Sequence, residues 1–166
     1  YAWLFPKAEF ANLGAGVEPT SMHALKAIVE RLHGRLVAEG RVGHEILATT
    51  GGAIPVGGAV VPRGRLGQAA VMLAGDAAGL ANPVTGAGIA AAVQSGTLAG
   101  EYAASELDGR SGALEDYESE LEALFGESLR RALRRREERL RAAPCPAALR
   151  RGWIAFDEYW TEGAQA

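Results

Sequence analysis

The sequence predicts an α+β fold, on three observations. Tyr1 to Phe5 and Phe10 to Gly16 alternate apolar residues around a short polar turn, which is a hairpin pattern. A strand-like run ending at Ala74 passes through a glycine-rich stretch into a long small-residue segment, giving strand, loop and helix. Beyond residue 108, apolar positions recur at helical spacing. Antiparallel sheet elements, one strand–loop–helix unit and a helical C-terminal part follow, over residues 1–69, 70–107 and 108–166.

In order along the chain, Pro6 to Glu9 supplies the hairpin turn. Pro19-Thr20-Ser21 reads as a helix start, with Ser21 or Thr20 as the N-cap. Leu25, Ile28, Val29, Leu32 and Leu36 then form one apolar stripe up to Ala38, and Gly40 closes the helix. Between residues 43 and 75, Glu45–Thr50 and Ala70–Ala74 are strand candidates. They are separated by bends at Gly51-Gly52, Pro55, Gly57-Gly58 and Pro62. A helix is predicted from Gly86 to Leu107 and another from Leu114 to Ala142, stopped by Pro144 and Pro146. A last helix over Ala147–Tyr159 precedes Trp160, with Trp153 and Phe156 inside it.

Composition excludes several function classes. With 166 residues, 48% hydrophobic, 22% charged and a net charge of −3, the chain is suited to a folded core and not to disorder. No apolar run reaches the roughly 18–20 residues of a membrane-spanning helix. One cysteine, Cys145, and three scattered histidines cannot build a disulfide framework, a zinc finger or an iron–sulfur cluster. The 22 glycines exceed the roughly 7% of an average chain. Because the sequence opens at Tyr1, inside a strand pattern and without methionine, it is expected to be a piece of a larger protein.

The chemistry concentrates in residues 70–89, where a strand runs into Asp76, then small residues, then Pro83, then Gly86 and Gly88 opening a helix. An acidic side chain at a strand end accepts hydrogen bonds from sugar or polyol hydroxyls. A helix N-terminus presents unpaired N–H groups and a positive dipole end to an electron-rich ligand. Gly79, Gly86 and Gly88 remove the Cβ atoms that would hold a flat ligand away. Residues 86–91 also fit a loose G-x-G-x-x-G/A pattern. A dinucleotide phosphate loop would follow its strand directly, whereas Gly86 comes about eleven residues after Gly75 and no acidic strand end follows. That reading is rejected; close helix packing through small residues is the plain alternative.

The whole string Gly75-Asp76-Ala77-Ala78-Gly79, with Pro83 and Gly86-Ala87-Gly88-Ile89, resembles the second flavin-binding motif of FAD enzymes of the p-hydroxybenzoate-hydroxylase-type fold. The resemblance implies that Asp76 binds the ribityl chain and that Gly86, Ala87 and Gly88 lie against the flavin ring. Tyr1-Ala2-Trp3-Leu4-Phe5-Pro6, followed after seven residues by Gly14-Ala15-Gly16, resembles the aromatic signature of the geranylgeranyl reductase family, flavoenzymes that saturate isoprenoid double bonds. Gly51-Gly52-Ala53-Ile54-Pro55 is similar to a segment of the same family, and the likeness spans residues 1–107. It implies substrate contacts at Tyr1, Trp3, Phe5, Pro6, Gly14, Gly16, Ile54 and Pro55, and cofactor contacts at Gly75, Asp76, Gly79, Pro83, Gly86, Ala87, Gly88 and Ile89.

The hairpin aromatics by themselves suit a core; beside a flavin motif they suit the wall of an apolar substrate tunnel. The implied chemistry is hydride delivery from flavin to one alkene carbon and a proton to the other. No Ser/His/Asp arrangement is present. Tyr1 is a candidate proton donor or a packing residue, His23, His33 and His44 are read as structural, and Cys145 as a bystander. The family's N-terminal G-x-G-x-x-G unit has no counterpart in these residues, so the chain alone is expected to hold FAD weakly. An aromatic hydroxylase or halogenase, and a non-catalytic lipid- or partner-binding piece, are the alternatives.

From Arg130 to Arg141, seven arginines stand against two glutamates on a helix whose stripe is Leu121, Phe125, Leu129, Leu133 and Leu140. A solvated basic face is the plain reading, and peripheral contact with anionic membrane or prenyl diphosphate the sharper one. Nucleic acid is not an expected partner, given the overall acidity. An isoprenoid or other apolar lipid is the expected substrate, the electron donor leaves no footprint, and a cytoplasmic location, membrane-associated or not, is expected.

Overall fold

A computed structural model describes residues 1–143 and 145–161, as mixed helix and sheet in two compact units, Tyr1–Gly52 and Ala53–Ala166. The first unit opens with β1 (Ala2–Lys7) and β2 (Phe10–Ala15), paired antiparallel with Trp3 opposite Gly14 and Leu4 opposite Leu13. Pro6, expected in the turn, instead lies within β1 opposite Ala11, which leaves a two-residue turn at Ala8-Glu9 with Ala8 at φ +43°. Proline is tolerated there because β1 has only one neighbour.

The alternation places Tyr1, Trp3 and Phe5 on one face, with successive ring centroids 5.8 and 6.4 Å apart. Their rings lie over the glycines of β2 and its end. A Cβ on Gly16 would stand 2.7 Å from the Tyr1 ring, and one on Gly14 would overlap the Trp3 indole. The glycine spacing is therefore the imprint of two aromatic side chains. Trp3 Nε1 is satisfied by Asn12 Oδ1 at 2.8 Å.

A 3-10 turn, Pro19–Ala24, leads into α1 (Leu25–Ala38), which packs on β2. Neither Thr20 nor Ser21 caps it: Pro19 takes the first helical position after Glu18, whose carbonyl accepts from Ser21 N–H. The predicted stripe holds, with Leu36 buried and Leu25, Ile28, Val29 and Leu32 half-buried. Gly40, at φ +66°, ends the helix in a Schellman motif: its N–H bonds the Val37 carbonyl, and Arg41 N–H bonds that of Leu36. Glu45–Thr50, predicted as a strand, has no strand partner among the described residues; Ile46 and Leu47 are exposed.

The second unit begins in irregular extended chain, and its sheet pairs the expected strand near Ala70 with one at Arg63–Leu66 that was not expected. β3 (Arg63–Leu66) pairs antiparallel with β4 (Ala69–Met72) across Gly67-Gln68, with Gly67 at φ +61°. The expected buried strand Ala70–Ala74 is thus shorter and only half-buried. Arg63 is held by Glu118 and Glu115 at 2.5 and 3.1 Å, and Arg65 by Glu106 at 2.5 Å, so charge fixes β3 onto the helices behind it.

Those helices are α2 (Ile89–Leu107) and α3 (Ala113–Leu121), continued through a π-helical segment, Glu122–Gly126, into α4 (Glu127–Arg141). The core joins Ala78, Leu80, Tyr117, Leu121 and Leu129, flanked by Met72, Leu73, Leu98 and Tyr102. The π segment adds residues to a turn and shifts the buried stripe. As a result Ala132 and Arg135 are buried on α4, while Leu140, expected on the stripe, is exposed.

The predicted solvated basic face is only partly such. Arg135 is buried and donates to the carbonyls of Tyr159 and Thr161 and to Glu138. The Arg131 guanidinium lies 5.3 Å above the Trp160 ring, and Arg130 and Arg141 pair with Glu122 and Glu137.

Pro146 begins α5 (Pro146–Arg151), capped by the Cys145 sulfur at 3.4 Å from Ala148 N; Pro144, the other expected stop, lies outside the described residues. The single helix expected over Ala147–Tyr159 is broken at Gly152, and α6 (Asp157–Trp160) follows. Gly152 is buried, and a Cβ there would stand 3.1 Å from Arg139 Cδ, so the chain bends where α5 meets α4. Among the described residues no helix is long and apolar enough to cross a membrane.

Candidate functional site: an acidic side chain beside an open helix start

The candidate site is the chain from Leu73 to Ile89, and its shape is set by three glycines in the left-handed region. Gly75 (φ +54°) turns the strand exit into a 3-10 turn, Gly75–Ala78, and Gly79 (φ +70°) ends that turn. Gly79 N–H returns to the Asp76 carbonyl at 3.0 Å, and Leu80 N–H to that of Gly75 at 3.1 Å. Gly86 (φ +71°) closes the next loop, where Asn82 does most of the folding. The Asn82 side-chain oxygen accepts from Val84 and Thr85 N–H, both at 3.0 Å, and its backbone bonds Ala87 and Gly86. This is an asparagine turn that presets the chain before Gly88.

The loop is seated from below. Ser95, fully buried on α2, accepts from Gly75 N–H at 2.9 Å and donates to the Ala91 carbonyl at 2.6 Å. The Tyr117 hydroxyl donates to the Leu73 carbonyl at 2.7 Å. Val84 is buried against Ala132 and Tyr159, and Arg136 donates to the Pro83 carbonyl at 3.1 Å.

Tyr117→Phe is expected to cost about 1–2 kcal/mol, because it strips the Leu73 carbonyl of its buried donor. Burial also raises the pKa of Tyr117, and of Tyr159, above the ordinary 10.0. A raised folded-state value contributes stability that is complete below about pH 10 and lost as pH climbs through the folded value. Urea unfolding from pH 7 to 11 should show that alkaline loss, and the phenylalanine variant should show less of it.

Above this seat the site is open. Asp76 is exposed, and a Cβ on Gly88 would stand only 3.1 Å from its Oδ1, so the carboxylate lies over the start of α2. That helix has no side-chain cap, and Ala92 N–H is the first amide to return to Gly88. The amides of Ile89, Ala90 and Ala91 precede any intrahelical acceptor. Ile89 is 85% exposed. The start at Ile89 corrects the expected start at Gly86; Gly86, Ala87 and Gly88 form the lead-in.

A polyol acceptor, free N–H donors and bare glycine backbone lie together, which fits the ribityl and ring side of a flavin. The predicted cofactor residues, Gly75 to Ile89, are one continuous loop. Gly75, Gly79 and Pro83 are buried and shape it, whereas Asp76, Ala87 and Ile89 face outward. Asn82, Ser95, Tyr117 and Arg136 were missed; only the Asn-Pro pair, a turn marker, signalled one of them.

The predicted substrate residues fall in separate places. Tyr1, Trp3 and Phe5, with Gly14 and Gly16, make the aromatic face of the first unit, on which Phe5 is exposed and Tyr1 half so. Pro6 projects from the opposite face, since side chains alternate. Ile54 and Pro55 lie in the irregular chain at the start of the second unit. His33 bonds the Gly43 carbonyl at 3.0 Å, and His23 and His44 are exposed. Among the described residues no group of acidic, histidine or cysteine side chains is placed to hold a metal.

No family model and no solved structure matches the chain. Curated relatives do. It is 36% identical over 133 residues to the digeranylgeranylglycerophospholipid reductase of Methanocella arvoryzae, covering 78% of this chain and 33% of the relative. The reductases of the same name from Methanocaldococcus jannaschii and Methanothrix thermoacetophila are 32% identical over 121 residues and 34% over 139. These cover 71% and 80% of this chain, and 30% and 34% of theirs. The chain therefore spans about a third of the length of the curated relatives it matches. At 32 to 36% identity over 71 to 80% of its length, the chain belongs to the geranylgeranyl reductase family.

Proposed function

We propose that this chain is the flavin-ring and lipid-facing part of an FAD-dependent reductase that saturates carbon–carbon double bonds of geranylgeranyl-type lipids. The observation that carries the proposal is the exposed Asp76 carboxylate over the open N-terminus of α2. Bound and reduced, FAD supplies a hydride to one alkene carbon while a proton goes to the other. Asp76 would hold a ribityl hydroxyl, and the free amides at the start of α2 would stabilise negative charge on the ring. The helix dipole favours negative charge there. Residues 70–107 carry this cofactor role, residues 1–69 the substrate side and residues 108–166 the helical support.

The row of Tyr1, Trp3 and Phe5 supports a lipid substrate, because a polyprenyl chain offers only CH contacts and is held by apolar burial. A row of rings 5.8 to 6.4 Å apart gives such a chain a continuous surface. The relatives' names point the same way, each being that of a reductase acting on a geranylgeranylated glycerophospholipid. The aromatic face argues against a hydroxylase or halogenase acting on a small aromatic ring.

The test is direct. The intact protein, loaded with FAD and reduced anaerobically with dithionite, is incubated with a digeranylgeranyl phospholipid, and the product is read by mass spectrometry. Saturated lipid, heavier by two hydrogen atoms per bond, is expected. Hydroxylated lipid, or no change with flavin bound and reduced, overturns the reading.

A further inference from the structure

The helical region brings a charged side chain to the candidate loop from more than fifty residues away. Arg136 Nη1 donates to the Pro83 carbonyl at 3.1 Å, and its side chain is half-buried. One residue on, Val84 is nearly fully buried against Ala132, one helical turn before Arg136 on α4, and against Tyr159 of α6. Neighbouring Arg135 points elsewhere, into the carbonyls of Tyr159 and Thr161. Successive helix residues diverge by about 100°, so two adjacent arginines address two different partners. Arg135 ties α6 to α4, and Arg136 ties the loop to α4.

We propose that Arg136 is a positioning residue for the flavin-facing loop, acting through the Pro83 carbonyl and the Val84 seat. This rests on the flavin reading above. The Asn82 turn makes residues 82–85 a stiff block, hydrogen-bonded from Asn82 to Val84, Thr85 and Ala87. A block of that kind is aimed by whatever holds one end. Its far end is Gly86-Ala87-Gly88, the lead-in to the open amides of α2. Fixing Pro83 therefore fixes the direction in which those amides face. A guanidinium on a carbonyl is a charge-assisted bond, stronger than a neutral pair. A lysine retains the charge while losing the planar fork.

The experiment compares Arg136→Met, Arg136→Lys and Val84→Ala in the intact protein with the unaltered form. Hydrogen exchange of the amides of residues 84–91 is measured without flavin, and FAD affinity by quenching of flavin fluorescence. Arg136→Met is expected to speed exchange in that loop about tenfold or more and to weaken FAD binding by a similar factor. Arg136→Lys should restore part of both, and Val84→Ala, which changes no charge, should move both in the direction of the methionine variant. Unchanged loop exchange in Arg136→Met overturns the proposal. So does acceleration spread evenly over α3 and α4, which would make the arginine a general support of the fold. If the unaltered intact protein fails to quench flavin fluorescence, the flavin reading fails, while loop exchange still reports on the brace.

Discussion

Gly79→Ala is expected to destabilise the second unit by about 3 kcal/mol, the sum of two separate penalties. The first is conformational. At φ +70°, an L-residue with a Cβ loses roughly 1–2 kcal/mol relative to glycine. The second is steric: the added Cβ would overlap the Gly58 carbonyl oxygen and approach Ala59 Cα at 3.1 Å. Both neighbours are backbone, and Val60 N–H beside them is hydrogen-bonded to the Ala78 carbonyl at 3.2 Å. Relief requires moving a segment that is itself pinned, and overpacking of this kind costs about 1–3 kcal/mol.

Gly96→Ala is the matched control. It lies within α2, and a Cβ there meets nothing within 4 Å. Removing a mid-helix glycine should stabilise by about 0.5–1 kcal/mol. Urea titrations followed by circular dichroism should therefore move the two midpoints in opposite directions. Equal, small shifts would mean that the Gly58–Gly79 contact is not part of the fold.

Those two glycines show how the sequence is readable in one register and silent in another. Local regularities transfer well. The alternation of Tyr1, Trp3 and Phe5 predicts their common face, and the spacing from Leu25 to Leu36 predicts the buried side of α1. Gly40 and Leu107 mark helix ends because a left-handed cap and the loss of periodicity are properties of the local chain. Glu45–Thr50 fails for the opposite reason. Strand propensity describes a residue's fit to a pleated surface, and among the described residues these have no partner strand to fit against. Arg63–Leu66 is not among the strand candidates, yet it pairs with Ala69–Met72, and Glu106, Glu115 and Glu118 neutralise its arginines from about forty to fifty-five residues away.

The candidate site divides along the same line. Asp76 and the glycines around it form one continuous string, so their spacing is visible in the sequence. The groups that hold the string in shape come from elsewhere: Ser95 from the middle of α2, Tyr117 from α3 and Arg136 from α4. Each is an ordinary helix residue until the packing shows which backbone group it meets. Arg136 was hidden further by its six arginine neighbours between Arg130 and Arg141, whose composition suggested a solvent-facing charge run. Burial of Arg135 and the Arg136–Pro83 bond separate two structural arginines from that run.

Asp76→Ala is expected to weaken FAD binding about 10- to 100-fold while leaving unfolding stability within about 0.5 kcal/mol. The binding loss is that of one charge-assisted hydrogen bond, about 1.5–3 kcal/mol, and each 1.4 kcal/mol is a factor of ten. The small stability change follows from exposure, because the carboxylate is tied to no other side chain among the described residues. Asp76→Asn keeps an acceptor oxygen without the charge and should fall between. Gly88→Ala approaches the same carboxylate from the other side. Its φ of −142° suits alanine, so the backbone is not strained, but the Cβ would crowd Asp76 Oδ1 at 3.1 Å and cover the first amides of α2. It should weaken binding with little loss of stability, in contrast to Gly79→Ala, which acts on the fold. Flavin fluorescence titration of the intact protein, paired with urea midpoints, separates the two classes. If Asp76→Ala binds FAD as tightly as the unaltered protein, the carboxylate is not the ribityl acceptor and the flavin-facing assignment of this loop falls.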